Sequence, residues 1–375
     1  MLSIPKTMRA VVYRGVDDLR LETLPVPRIG PRELLVKVAV CGVCPTDIKK
    51  IHYGTVPPPR VFGHETAGTI VRVGAAVRGF RVGDRVALHH HVPCLECHAC
   101  RHRAFAQCAT YKRTGITAGF EPAGGGYAEY VRVMPFVLPG VVKIPARNTF
   151  LEGAMLEPVN TVLKAVNRLE LLKGDRVLVA GQGPIGLMFT RLLTLRGMKV
   201  EATDLLETRL RMAKQFGASR ANKPETGPTQ NGPNQGGASV PASRCDEKAG
   251  GASVPASRSP FDAAVVTVPS DDVVREAQER VRGGGRVLLF AHTKRGDATE
   301  LDLARVCMDE KDLIGSYSAD FLLQREVARL VFSRRLDARK LVTHEFPLEK
   351  TADAIALAAQ PTAESLKVMV RVEPA

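Results

Sequence analysis

No apolar run in the 375-residue chain approaches the roughly 18 to 20 residues of a membrane-spanning helix, which excludes a transmembrane protein by this criterion. The stretch from Met1 to Val12 also lacks the apolar core and small-residue cleavage site of a signal peptide. A cytoplasmic protein with no membrane partner is therefore expected. Long basic runs are missing too, as is any helix-turn-helix, RNA-binding or basic-zipper pattern, so nucleic acid is not an expected partner. That absence matters because 53 Lys and Arg against 39 Asp and Glu give a net charge of +14. Such a field would otherwise suit nucleic acid, and it equally suits an anionic cofactor. With 45% hydrophobic and 25% charged residues, disorder is excluded, and the length suffices for a sizeable core and about two domains.

The chain changes character along its length. Up to residue 158 it reads as strands and turns, with β-rich stretches from Arg9 to Tyr13, Glu33 to Val40 and Ala67 to Val73 between Pro and Gly clusters. A helix opening with Pro158 at its first position, with Val162, Ala165, Val166 and Leu169 at helical spacing, leads into a second unit over residues 159–315. There the pattern alternates between strand and helix, as in Val177 to Ala180, Ile185 to Arg196, Lys199 to Thr203 and Glu207 to Phe216. A helix capped by Ser270, with an apolar face of Val273, Val274, Ala277 and Val281, is expected to end at Gly283. Alternation of this kind predicts a doubly wound parallel sheet, an α/β class, beside the mostly β first domain. Residues 316–375 are expected to return to the first domain. The segment 224–260 does not fit: it is rich in Gly, Pro, Ser and Ala, and the nonapeptide GGASVPASR occurs in it twice. It is expected to be a disordered insertion between two strands.

Half of the eight cysteines fall within fifteen residues, as Cys94, Cys97, Cys100 and Cys108. In a reducing compartment such clustering points to metal, and four thiolates form the closed tetrahedral set that Zn²⁺ prefers, with no open position for substrate. Cys41 and Cys307 are expected to be small buried hydrophobes. The run His89 to His91 is not expected to make a further site, because a strand would send neighbours to opposite faces.

A second set is dispersed. Cys44 lies in Gly-Val-Cys-Pro-Thr-Asp, His64 and Glu65 in Gly-His-Glu, and Glu157 before Pro158. One thiolate, one imidazole and one carboxylate would hold a zinc whose fourth position stays open, the catalytic arrangement. Asp47 can accept from the His64 ring N–H and fix its tautomer. Thr46 can pass on an alcohol proton. A third motif, Gly181-Gln182-Gly183-Pro184-Ile185-Gly186, joins a buried strand to a helix, where glycines let the backbone approach a pyrophosphate resting on the helix N-terminus. Asp204, at the end of the following strand, would accept from the adenosine ribose and repel a 2′-phosphate, which favours NAD; Arg209 nearby could welcome that phosphate instead.

Together these residues resemble the zinc-dependent medium-chain alcohol dehydrogenase family, and within it the sorbitol or iditol dehydrogenase-like branch. The resemblance includes the stretch Gly124 to Tyr130 and covers nearly the whole chain outside 224–260. It implies a GroES-like β domain holding one catalytic and one structural zinc, a Rossmann domain, a substrate cleft between them, and a homodimer or homotetramer. Carried over residue by residue, it makes Cys44 and His64 catalytic zinc ligands, with Glu65 and Glu157 competing for the third place. It assigns Cys94, Cys97, Cys100 and Cys108 to the structural zinc, and the glycine motif, Ile185, Asp204 and Arg209 to the cofactor. The sequence departs from the branch where substrate is read. Lys49 stands where many relatives have a histidine, Lys50 where sorbitol enzymes have a tyrosine, and Ser318-Ala319 where they have an Arg-Tyr pair. A lysine near the mouth would suit an anionic group on the substrate. The expected activity is reversible NAD-dependent oxidation of a secondary alcohol, a polyol or related compound, in the manner of L-iditol 2-dehydrogenase. An L-threonine 3-dehydrogenase-like activity is the enzyme alternative. A non-catalytic nucleotide-binding protein is the alternative of another class, which loss of Cys44 or His64 would have signalled.

Overall fold

The computed structural model describes residues 4–373 apart from 90–91, 114–123, 225–259, 292–295 and 297. The repeat-bearing insertion, His90 and His91 lie outside the described residues.

The first unit is built on a seven-stranded sheet in which Leu34–Gly42 is central, antiparallel to Glu65–Val73, Tyr130–Val133 and Lys367–Arg371. Its run Leu-Leu-Val-Lys-Val-Ala-Val is almost wholly buried, as a strand covered on both faces must be. A three-stranded sheet of Asp18–Pro25, Thr7–Gly15 and Arg60–Val61 closes over it. Val12, Tyr13, Phe62 and Ile70 are among the residues filling the core between them. The pairing of Lys367–Arg371 with Leu34–Gly42 brings the end of the chain back to its beginning.

The second unit is a six-stranded parallel sheet in the order Arg220–Asn222, Lys199–Thr203, Arg176–Ala180, Phe261–Val266, Val281–Leu289, Asp312–Gly315. This is a doubly wound order, with its reversal between Arg176–Ala180 and Phe261–Val266, where a crevice opens at the carboxyl ends of the strands. The helix Leu156–Arg168 spans the two units. It buries Val159, Val162, Leu163 and Val166 at helical spacing against a core that includes Phe189 and Leu193 of the helix Pro184–Leu195.

Three details differ from the expectations. Pro158 is the third residue of its helix, still within the first turn, where its missing N–H leaves no bond unmade. The helix Asp271–Arg280 stops before Val281, which takes extended angles and pairs with Phe261 as the start of a strand. The β-branched valine and Gly283 to Gly285 after it favour leaving the helix early. Cys307 is exposed, because its helix Leu303–Met308 buries none of its residues.

Candidate metal centres and cofactor cleft

Cys44 is the N-cap of the helix Pro45–Tyr53, and its Sγ accepts from the Thr46 N–H at 3.5 Å. One turn into that helix, Asp47 is fully buried. Its carboxylate lies 3.1 Å from His64 Nδ1 and accepts from the Gly63 N–H at 3.2 Å. Asp47 thus ties the Cys44 helix to the Gly-His-Glu segment. Burial alone would lower the His64 pKa, yet the facing charges of Asp47 and Cys44 raise it well above the usual imidazole value. The donor atoms of Cys44, His64 and Glu65 lie within 4.8 Å of one another. A thiolate, an imidazole turned by a carboxylate and a buried carboxylate form a donor set that suits Zn²⁺.

Glu65 has a partner that sequence reasoning missed. Lys367 is 5% exposed, and its Nζ lies 2.6 Å from Glu65 Oε1 and 2.5 Å from Oε2 while donating to the Val43 carbonyl at 2.9 Å. Burial would lower the Lys367 pKa, but Glu65 and Cys44 raise it above the ordinary value. Glu157, also buried, is outside the 4.8 Å set. Its Oε1 accepts from Thr161 Oγ1 at 3.4 Å, and burial, partly opposed by His64, pushes its carboxyl up to about 7. Three carboxylates, one lysine and one histidine therefore share a mostly water-excluded pocket.

The four clustered cysteines converge. Sγ separations are 3.5 Å for Cys97 and Cys100, 3.6 Å for Cys94 and Cys108, and 3.9 Å for Cys94 and Cys100. Tetrahedral Zn²⁺ with Zn–S bonds of about 2.3 Å requires sulfurs roughly 3.8 Å apart, so the chain presents the set at the spacing the ion needs. Backbone N–H groups of Glu96 and Cys97 hold the Cys94 thiol down at about 6, and burial pushes that of Cys100 up to about 12. His98 and His102 are exposed beside them.

At the other unit, Gly181 has φ +90°, and a Cβ on Gly186 would meet the Gly181 carbonyl at 1.8 Å, so the strand and helix touch only because both are glycine. A Cβ on Gly183 would meet nothing within 4 Å, and no side chain caps the helix Pro184–Leu195 there. Open space over an uncapped helix start fits a pyrophosphate. Ile185 follows Pro184 in the first turn. Asp204 accepts from the Gln182 N–H at 2.6 Å and from the Leu206 N–H at 2.9 Å, and Arg209 Nη1 lies 3.9 Å from it. The aspartate therefore ties the glycine loop to the end of the next strand.

Between the units lies a cleft of about 1920 Å³, lined by Thr46 and Lys49 on one side and by Val268, Ser270 and Tyr317 on the other. Its walls belong to both units, and Thr46 on the first is two residues from Cys44. The family pattern of the alcohol dehydrogenase GroES-like domain matches residues 30–146, and that of zinc-binding dehydrogenases matches residues 184–333. The chain belongs to the zinc-dependent medium-chain alcohol dehydrogenase family. It is 29% identical to a sorbitol dehydrogenase of Bombyx mori, covering 97% of this chain and 98% of that protein. To a sorbitol dehydrogenase of Bacillus subtilis (strain 168) it is likewise 29% identical, covering 98% of both. Among solved structures it resembles a zinc-binding dehydrogenase from Sinorhizobium meliloti 1021 bound to NADP, with a TM-score of 0.82, 25% identity, and 98% of this chain and 100% of that one covered. This medium-chain dehydrogenase is accordingly a GroES-like domain joined to a Rossmann domain, an oxidoreductase that uses Zn²⁺ and NAD. No described helix is long and apolar enough to cross a membrane.

Proposed function

We propose that the protein catalyses reversible NAD-dependent oxidation of a secondary alcohol of the polyol type, the kind of activity its sorbitol dehydrogenase relatives are named for. The observation that carries this reading is the grouping of Cys44, His64 and Glu65 donor atoms within 4.8 Å of one another, next to a cleft whose far side belongs to the Rossmann domain. Cys44, His64 and Glu65 would hold the catalytic zinc, with Glu157 as the competing carboxylate, and Cys94, Cys97, Cys100 and Cys108 the structural one. When bound, zinc supplies a Lewis acid toward an alcohol oxygen, and NAD supplies the hydride acceptor.

The chain's own residues do the rest. Asp47 accepts from His64 Nδ1, which fixes the ring and leaves Nε2 as its donor atom. Lys367 offsets the charge of Glu65, so that a thiolate and carboxylates can coexist in a buried pocket. Thr46 borders the cleft, where its hydroxyl can take the alcohol proton and hand it to solvent. Gly181, Gly183, Pro184, Ile185 and Gly186 would cradle the pyrophosphate, and Asp204 with Arg209 would meet the adenosine ribose.

The reading includes a cytoplasmic location, a division of the chain near residues 158 and 315, and a homodimer or homotetramer. Association is supported by the strand Asp312–Gly315, which is at the edge of its sheet, and by Leu303 and Met308 of the preceding helix, which are 71% and 82% exposed. Sedimentation at micromolar concentration should give a multiple of the 40.6 kDa chain mass. The function itself is tested by turnover of NAD with a panel of polyols, hydroxy acids and amino alcohols. Oxidation of vicinal diols is expected, and turnover confined to amino alcohols would favour the threonine dehydrogenase-like reading.

A further inference from the structure

The helix Leu156–Arg168 carries Asn160, Lys164 and Arg168 at four-residue spacing, which sets them in one row along its surface. All three reach the same segment, the one that follows the last strand of the parallel sheet. Arg168 Nη1 donates to the Gly315 carbonyl at 2.5 Å, Lys164 Nζ donates to the Tyr317 carbonyl at 2.9 Å, and Asn160 Oδ1 accepts from the Asp320 N–H at 2.8 Å. Asn160 is fully buried, and its amide also donates to Gln324 Oε1 at 3.0 Å. Each contact from the row to the segment is to backbone, so together they fix its path.

The segment is also held by the cysteine-rich loop. The Tyr111 hydroxyl lies 3.4 Å from Ser318 Oγ, and the Phe105 and Phe321 rings meet edge to face with centroids 5.7 Å apart. Ser318 has φ +64°, a left-handed conformation that a serine keeps only where its surroundings impose it. The pinned segment is a wall of the cleft: Gly315, Ser316, Tyr317 and Asp320 line it, and Tyr317 is 46% exposed. Strand order indicates what this wall meets. Asp204 follows the strand Lys199–Thr203 and Gly181 follows Arg176–Ala180; the next neighbours in the sheet are Phe261–Val266, Val281–Leu289 and Asp312–Gly315. A dinucleotide with its adenosine at Asp204 and its pyrophosphate on the glycine loop continues over the carboxyl ends of those three strands. Val268, Phe290 and Tyr317, each within two residues of such an end, all line the cleft.

We propose that Asn160, Lys164 and Arg168 are positioning residues for cofactor binding, holding Gly315 to Asp320 as the wall against which the nicotinamide half of NAD docks. This rests on the placing of the adenosine at Asp204 and of the pyrophosphate on the glycine loop. The three residues act through the backbone they hold. Without them the wall would have to be ordered at the moment of binding, and that ordering costs affinity.

The test compares NADH with ADP-ribose, which lacks the nicotinamide, by calorimetry on the zinc-loaded enzyme. Lys164→Met and Arg168→Met should each weaken NADH about tenfold, as expected for losing a hydrogen bond from a charged group, and leave ADP-ribose within about twofold. In turnover, KM for NAD should rise by a similar factor while kcat changes less. Lys164→Arg, which can still donate to the Tyr317 carbonyl, should restore most of the NADH affinity. Equal loss of both ligands would make the row a general support of the Rossmann domain, and unchanged NADH affinity in both Met variants would leave it without a role; either result overturns the proposal. Asp204→Ser should weaken NADH and ADP-ribose alike. No effect of that variant on either ligand would instead fault the placing of the adenosine half, so the two readings fail separately.

Discussion

At the scale of single residues, the most informative is Asp47. It touches no reacting atom in this account, yet both of its oxygens are engaged and it orients His64. Asp47→Asn should weaken zinc at the Cys44–His64 site by about ten- to a hundredfold, the usual cost of losing a carboxylate behind a ligating histidine. Competition with a chelator measures this, and an unchanged affinity would show that the contact is only structural. Asp204 carries the second residue-scale prediction. Asp204→Ser removes the charge that repels a 2′-phosphate and should lower the NAD to NADP ratio of kcat/KM by about tenfold or more. Wild-type preference for NADP would mean that Arg209, 3.9 Å away, outweighs the aspartate. The bound NADP in the Sinorhizobium meliloti relative makes this ratio worth measuring. Much at this scale was legible, because Cys44, Asp47, His64 and Glu65 follow one another in short motifs with recognisable chemistry. Lys367 was not, since 302 residues separate it from Glu65 and a single lysine in a terminal apolar strand looks like an edge residue.

Elements show why the site is held in place. The short helix Phe150–Ala154 precedes the helix that carries Glu157, and it begins with a capping box in which Thr149 and Glu152 satisfy each other's backbone. Glu152 is buried, which by itself would raise its pKa. Hydrogen bonds from the Thr149 backbone, Arg334 and Asn148 outweigh burial and hold its carboxyl below the usual value. A depressed folded pKa means stability that is present above the unfolded value of about 4.3 and lost as pH falls through the lower folded one. Glu152→Gln should therefore cost about 1 to 3 kcal/mol at pH 7, and the gap to wild type should narrow as pH drops through that window. Urea unfolding at several pH values checks this, and a pH-independent gap would contradict it. Strand and helix positions in the Rossmann domain were readable from buried apolar runs and glycine stops. The helix before Val281 was overextended because helical spacing continued into a residue whose pairing with Phe261 decides its conformation. Tertiary pairing of that kind leaves no local trace.

For the whole molecule, one cleft runs between the β and Rossmann units, with Thr46, two residues from Cys44, on one wall and Val268 and Leu289 on the other. Alternation of strand and helix revealed the architecture, but the cleft, lined by residues as distant in sequence as Thr46, Lys164 and Tyr317, appears only in the folded chain. The two metal sites should have separable roles. Zinc content and NAD reduction, determined on the same samples of wild type, Cys44→Ser and Cys97→Ser, test this most directly. Wild type should hold two zinc ions per chain. Cys44→Ser should keep the structural ion and fold while losing nearly all turnover, and Cys97→Ser should lose metal and stability together, because structural zinc binding is part of the folding free energy. One zinc per fully active wild-type chain, or near-normal turnover by Cys44→Ser, would contradict the account.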